Sequence, residues 1–161
     1  MQLHSVKVES SIPGVQIVLA QSQFIKTVED VYESLMNSVP GIRFGIAFCE
    51  ASGPCLVRRQ GNEPQLEDLA SEYAFRIACG HSIVVLFQNA FPVNVLPHLR
   101  ANPELLNIYC ATANPIEVII AETDLGRSIL GVVDGSRPKG IEGEAQMRER
   151  RDFLRSIGYK L

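Results

Sequence analysis

The sequence has no tryptophan, only three histidines among 161 residues, and no pair of cysteines spaced as CxxC. The usual zinc spacing is therefore missing, and the scattered His4, His81 and His98 do not make a metal site. Cys49, Cys55, Cys79 and Cys110 are even in number, but in a chain that is not exported such thiols stay reduced. Apolar runs reach about six residues, against the roughly 20 needed to cross a bilayer, so no membrane association is expected. No charged-then-apolar leader precedes Val6, which predicts no export signal and a cytoplasmic location. Basic residues are not in excess: 15 Lys/Arg stand against 18 Asp/Glu, for a net charge of −3. The electrostatic footprint of a nucleic-acid binder is thus absent. So are GxxxxGK[ST] and GxGxxG, which removes the common phosphate cradle, the dinucleotide fingerprint and the protein-kinase glycine loop. Any nucleotide chemistry here needs another geometry.

What remains is an ordinary globular composition, 46% hydrophobic and 20% charged. The length predicts one domain spanning residues 1–161. Its centre is LNIYCATANPIEVIIAETDLGRSILGVVDGSRP, Leu106 to Pro138. Three apolar runs there, Asn107–Ala111, Ile116–Ala121 and Ile129–Val133, are separated by polar and turn-forming residues and read as strands. Upstream, Leu3–Glu9 and Val15–Ala20 read as an opening hairpin around Pro13-Gly14. Thr27 to Met36 has helical spacing, and Pro40-Gly41 stops it. Arg43–Glu50 and Cys55–Arg58 are strands joined by a turn. Asn62 can cap a second helix whose buried stripe is Leu66, Leu69, Ala70, Tyr73 and Ile77, and Gly80 suits the position just past its end. Ser82–Phe87 is apolar throughout and is the expected central strand. A short helix over Val95–Leu99 and a final one over Gly143–Ile157 complete the chain. Interleaved strands and helices predict an α/β (α+β) fold: a mixed β-sheet with hairpins, flanked by about four helices.

The candidate chemistry sits at the strand ends. His81, in Cys79-Gly80-His81-Ser82, lies where a helix meets the central strand. Imidazole is the side chain best suited to act as base or nucleophile near neutral pH, and Gly80 lets a ligand approach the backbone. From position alone, a histidine that holds the junction by hydrogen bonds is the commoner case. Tyr109, Thr112, Asn114, Glu122, Arg127 and Asp134 form a concentration of hydrogen-bonding groups on rigid elements, where sites tend to be built. Glu117, Glu122 and Asp134 could supply carboxylates for a general base or for Mg²⁺. Arg127 could grip phosphate with its fork of donors. Cys110 would need a base or helix N-terminus to become a nucleophile, and the sequence shows neither.

The segments FGIAFCEASGPCLVR (Phe44 to Arg58), CGHSIVV (Cys79 to Val85), FPVNVL (Phe91 to Leu96), IYCATANPIEVIIAET (Ile108 to Thr123), GRSILGVVDG (Gly126 to Gly135) and RRDFLRSIGYK (Arg150 to Lys160) resemble the adenosine-specific kinase family of archaea and bacteria. The resemblance covers nearly the whole chain. It implies a mixed α/β fold, a homo-oligomer (a trimer or a multiple of it), a pocket for adenosine or AMP, and a phosphate-carrying histidine, here His81. The expected function is an adenosine- or AMP-binding phosphotransferase in which His81 is the nucleophile, Arg127 balances phosphoryl charge, and Asp134 or Glu122 orients the ribose. In that scheme Tyr109 stacks on the base, while Thr112 and Asn114 read its edge or the sugar. The alternatives are a non-catalytic adenosine or AMP sensor using the same pocket, and a thiol enzyme built on Cys110.

Overall fold

The computed structural model describes residues 1–161. The element order is β1 (Gln2–Val8), β2 (Gln16–Ser22), α1 (Thr27–Met36), β3 (Arg43–Cys49), β4 (Val57–Gly61), α2 (Pro64–Ile77), β5 (Ser82–Gln88), α3 (Pro92–Arg100), β6 (Leu105–Thr112), β7 (Ile116–Glu122), β8 (Arg127–Asp134) and α4 (Glu144–Ser156). The fold is α+β with four helices, as the sequence predicts. The strands divide into a five-stranded sheet, β4-β3-β5-β2-β6, and a three-stranded sheet, β1-β7-β8. Every pairing is antiparallel.

One expected pairing is not made. β1 does not form a hairpin with β2; it pairs with β7, Val6 opposite Val118. The reason is that β2 is bracketed by β5 and β6 and has no free edge to offer. The Glu9–Val15 segment instead carries the chain from one sheet to the other.

β5 is the middle strand of the larger sheet, and Ser82 to Phe87 are all buried. Alternate residues feed two cores, as strand geometry requires. On one face Ile83, Val85 and Phe87 pack with Phe44, Ile46 and Phe48 of β3 and with Val31, Leu35, Val95 and Leu99 of α1 and α3. On the other, Val84 and Leu86 meet α2 through Leu66, Ala70 and Ile77, and meet the small sheet through Val118, Ile120 and Ile129.

Three local devices differ from the sequence expectation. Asn62 does not cap α2; its side chain accepts from Phe44 N (2.8 Å) and donates to Ile42 O (2.8 Å), tying the β4 turn to β3. α2 ends at Ala78 in the left-handed region (φ 51°), ahead of Gly80. α3 starts earlier than its apolar pattern, at Pro92, because Asn94 Oδ1 reaches back to Phe91 N (2.9 Å).

α2 lies so close to β3 that a Cβ on Gly45 would overlap the backbone of Leu66 and Glu67. Gly131 on β8 faces open space. Gly45→Ala is therefore expected to cost about 3 kcal/mol or more by forcing the helix off the sheet. Gly131→Ala should stay within about 0.5 kcal/mol of the parent. Urea denaturation of the two variants checks this; equal midpoints would refute the contact.

Candidate functional site

His81 is held by its backbone before its ring is considered. Its N–H donates to Cys49 O on β3 (2.7 Å), and its carbonyl accepts from Ser22 N on β2 (2.8 Å). The residue therefore closes the end of the central sheet across both neighbours of β5. It does so at φ 63°, a left-handed conformation that costs most residues about 1 kcal/mol but in which histidine, asparagine and aspartate are enriched. The imidazole stacks on Phe48, with centroids 5.8 Å apart and planes 22° apart. Phe48 belongs to the core beneath α1 and α3, so the imidazole is presented on that face.

Two charged groupings flank this end. Arg58 stands opposite Phe48 in the β3–β4 register, which puts both side chains on one face. Its Nε donates to Glu50 Oε1 (2.8 Å), and Glu50 Oε2 accepts from Leu56 N (2.8 Å). The Leu56 N–H first, and then Arg58, hold the Glu50 carboxyl below the usual carboxylate range. On the other flank the Ser22 and Thr27 hydroxyls, 2.6 Å apart, fasten the start of α1 to the end of β2. Lys26 there bridges Asp30 and the buried carboxylate of Glu104. Hydrogen bonding to Asp30 and then Glu104 holds the Lys26 ammonium well above its ordinary value. A cleft of about 570 Å³ opens between these flanks, lined by Ile25, Lys26, Val28, Leu56 and Arg58 among others. None of these flanking groups was legible as part of a site. Glu50 and Arg58 were within reach of a reading that paired charges across the β3–β4 turn; the burial of Glu104 has no signature in sequence.

The six strand-end residues are placed elsewhere, in two groups between the sheets. Glu122 and Arg127 face each other across β7 and β8, with Arg127 Nε 2.8 Å from Glu122 Oε2, and His4 Nε2 lies 3.1 Å from the same oxygen. Tyr109 Oη donates to Gln21 Oε1 at 3.3 Å nearby, and burial raises its phenol above the ordinary value. Arg127 lies close enough to the Cys79 thiol to act on it electrostatically. This group shares an end of the molecule with His81 but occupies the opposite face of the larger sheet.

Thr112, Asn114 and Asp134 form the second group, at the far end. Asp134 Oδ1 accepts from Thr112 Oγ1 (2.9 Å) and from Asn114 Nδ2 (3.0 Å), and Thr112 Oγ1 accepts from Asn114 N (3.1 Å). Thr112 and Asn114 border a cleft of about 260 Å³ under the Glu9–Val15 segment. Thr112 pairs with Ile17, whereas His81 is bonded to Ser22. Five residues of strand therefore separate the two levels, about 17 Å. The three carboxylates considered for Mg²⁺ are also dispersed. Glu117 accepts from Ser5 on the outer face of the small sheet, Glu122 binds Arg127, and Asp134 lies at the other end.

The family described as adenosine-specific kinase matches residues 6–160. The crystal structure of the PH1918 protein from Pyrococcus horikoshii OT3 is 43% identical over 99% of this chain and 99% of that one, with a TM-score of 0.92. The chain belongs to the adenosine-specific kinase family. No curated protein matches it. Membership points to a kinase-like function with adenosine as a ligand. No helix is long and apolar enough to cross a membrane.

The thiol reading finds no activated sulfur at Cys110. Burial pushes its thiol up to about 11, and the Asp134 charge adds to this while a hydrogen bond with the Leu19 backbone opposes it. Burial pushes Cys79 up to about 11 as well. Both stay protonated at neutral pH, and Cys55 is the exposed thiol. Iodoacetamide at pH 7.5 should thus modify Cys55 first, with Cys110 at least tenfold slower by peptide mapping; equal rates would reinstate a thiolate at Cys110. A raised thiol pKa also makes the folded state lose stability as pH climbs from the ordinary thiol value of about 8.5 towards 11, because only the unfolded chain can ionise freely there.

Proposed function

We propose that the protein is an adenosine- or AMP-binding phosphotransferase whose phosphoryl carrier is His81. The observation that carries the reading is the way His81 is held. Two backbone hydrogen bonds and the Phe48 platform fix it, in a backbone conformation that glycine would adopt without strain. A residue needed only to close the sheet would not require an imidazole. Strained positions of this kind concentrate where function over-determines the structure.

In the reaction, a ring nitrogen attacks the phosphorus of AMP. The P–N bond forms, the P–O5′ bond breaks, and adenosine leaves as its O5′ takes up a proton. The reverse direction phosphorylates adenosine from the phosphoramidate. One difficult transfer is split into two steps. Lys26 and Arg58, which line one cleft on the two flanks of the end that His81 closes, are the cations we assign to balance phosphoryl charge. This departs from the earlier expectation for Arg127, which Glu122 neutralises on the far side of the sheet.

For the nucleoside we assign Thr112, Asn114 and Asp134, because Thr112 and Asn114 border a cleft and Asp134 is bonded to both in one network of acceptors and donors. About 17 Å from His81 in the same chain, they lie beyond hydrogen-bond reach of roughly 3 Å. The reading therefore requires a homo-oligomer, a trimer or a multiple of it, in which one subunit's nucleoside cleft meets a neighbour's His81. Tyr109, Glu122 and Arg127 take no part in this step. The compartment we assign is the cytoplasm.

His81→Asn tolerates the left-handed backbone but cannot form a useful P–N bond. Incubated with AMP and followed by ³¹P NMR, it should show no acid-labile, base-stable phosphoprotein. Turnover should fall about a hundredfold or more, while adenosine affinity changes less than threefold. Full activity would demote His81 and move the non-catalytic sensor reading to first place. Mixed oligomers of inactive His81→Asn and inactive Asp134→Asn subunits should regain turnover, since some sites then combine two intact halves; no recovery would place the site within one chain. With no triphosphate cradle in the sequence, adenosine and AMP should outbind ATP in calorimetry. An ATP preference of tenfold, about 1.4 kcal/mol, would contradict the reading.

A further inference from the structure

α4 is a helix of thirteen residues, none of which is buried. Alone in water a helix of that length is marginal, because helical stability in proteins comes mostly from packing an apolar face. α4 and the residue after it carry such a face. At 100° per residue, Met147, Phe153, Leu154 and Ile157 fall within one stripe about 120° wide. Phe153 is 60% exposed. Arg150 falls within that stripe and is paired with Glu142; Arg151, Arg155 and Arg148 lie beside it, about 40° to 100° beyond Met147, and form no ion pair within the chain.

The same chain leaves one sheet face bare. In β1-β7-β8, Val6, Val118, Ile120 and Ile129 point into the core, so their alternating neighbours point outward. Those neighbours include Leu3, Ile119, Leu130 and Val133, and Leu3 and Leu130 are 66% and 59% exposed. A helix of thirteen residues is about 20 Å long and 10 Å wide. Strands of seven residues run about 23 Å, and three of them span about 10 Å. The dimensions match.

Charge points to what fills that face. Residues 136–161 hold seven Lys/Arg against four Asp/Glu, a net of +3. Residues 1–135 hold eight against fourteen, a net of −6. A basic C-terminal tail, of which α4 itself contributes +1, and an acidic body attract. Residues 135–143, which join β8 to α4, can extend about 30 Å, enough to leave the parent body.

We infer that α4 docks on a second copy of this chain, its Met147–Ile157 stripe covering the outer face of the neighbour's β1-β7-β8 sheet. The inference rests on the assembly proposed above and names the contact that makes it. By covering the sheet next to β8, the docked helix also lies beside the strand that carries Asp134.

The test uses the full chain with Cys55→Ser. One preparation carries Leu130→Cys or Val133→Cys; a second, with a different tag, carries Met147→Cys or Leu154→Cys. After mixing, subunit exchange and mild oxidation with diamide, a disulfide joining the two tags is expected for at least one pair. A chain carrying both cysteines that links only within itself, migrating as a monomer, would overturn the inference by placing α4 on its own sheet. So would the absence of any link. In parallel, Leu154→Asp with Ile157→Asp should reduce the mass by light scattering to that of a monomer, with the circular dichroism of the folded body retained. If the double variant keeps the parental mass, the assembly stands and α4 is not its contact. If the parent is itself monomeric at micromolar concentration, both the assembly and this contact fail.

Discussion

The structure depends on β5 being buried on both faces. A strand with a core on each side has no room for polar groups along its length, and the polar chemistry is displaced to its ends and to the layers beyond. At one end the chain must pass from α2 into β5 and still satisfy the backbone groups of β2 and β3. His81 meets that requirement with an N–H to Cys49 and a carbonyl to Ser22, 2.7 and 2.8 Å, at a backbone angle few residues accept. The packing of the central strand thus determines where the imidazole sits. The Phe48 ring, part of the same core, determines which face it is offered on.

The separation of His81 from Thr112, Asn114 and Asp134 follows from the same topology. β2 runs between them, bonded to β5 on one side and β6 on the other. A rigid strand cannot shorten the distance between its ends. Only a hinge or a neighbouring subunit could unite the two groups, and a doubly buried strand is a poor hinge. The assembly proposed above rests on this division of polar residues, and not on the bare helix and sheet face at the C-terminal end of the chain.

The elements were legible because their periods are clean. Val28, Val31 and Leu35 mark α1 and are all buried in it, and the unbroken run Ser82–Phe87 marks the central strand. Pairing was less legible. Val6 and Val8 alternate as they would in a hairpin with β2 or in a sheet with β7, and nothing local distinguishes the two; the choice was made by β6, nearly a hundred residues away, occupying the open edge of β2. The site was legible as residue types but not as a place. His81 stood out for its junction, and Thr112, Asn114 and Asp134 do converge, through a register of β7 on β8 that pairs Ile116 with Asp134. Tyr109, Glu122 and Arg127 appeared to belong with them because they are close in sequence. Three strands that reverse direction carry neighbours in sequence to opposite ends of a layer.

The flanks of His81 show why charge alone misleads in reading a site. Lys26 and Arg58 are each already engaged, Lys26 with Asp30 and Glu104 and Arg58 with Glu50. In the proposed transfer, a phosphoryl group arriving at the imidazole must compete with these carboxylates. The competition is unequal on the two sides. The Glu50 carboxylate keeps the Leu56 N–H when Arg58 leaves, so it is not stranded. Glu104 is buried, and losing Lys26 would leave a carboxylate desolvated without a cation, which costs several kcal/mol. Arg58 is therefore the cation free to turn towards phosphate, with the planar fork suited to it, and Lys26 is the one that stays to hold the start of α1 against the sheet.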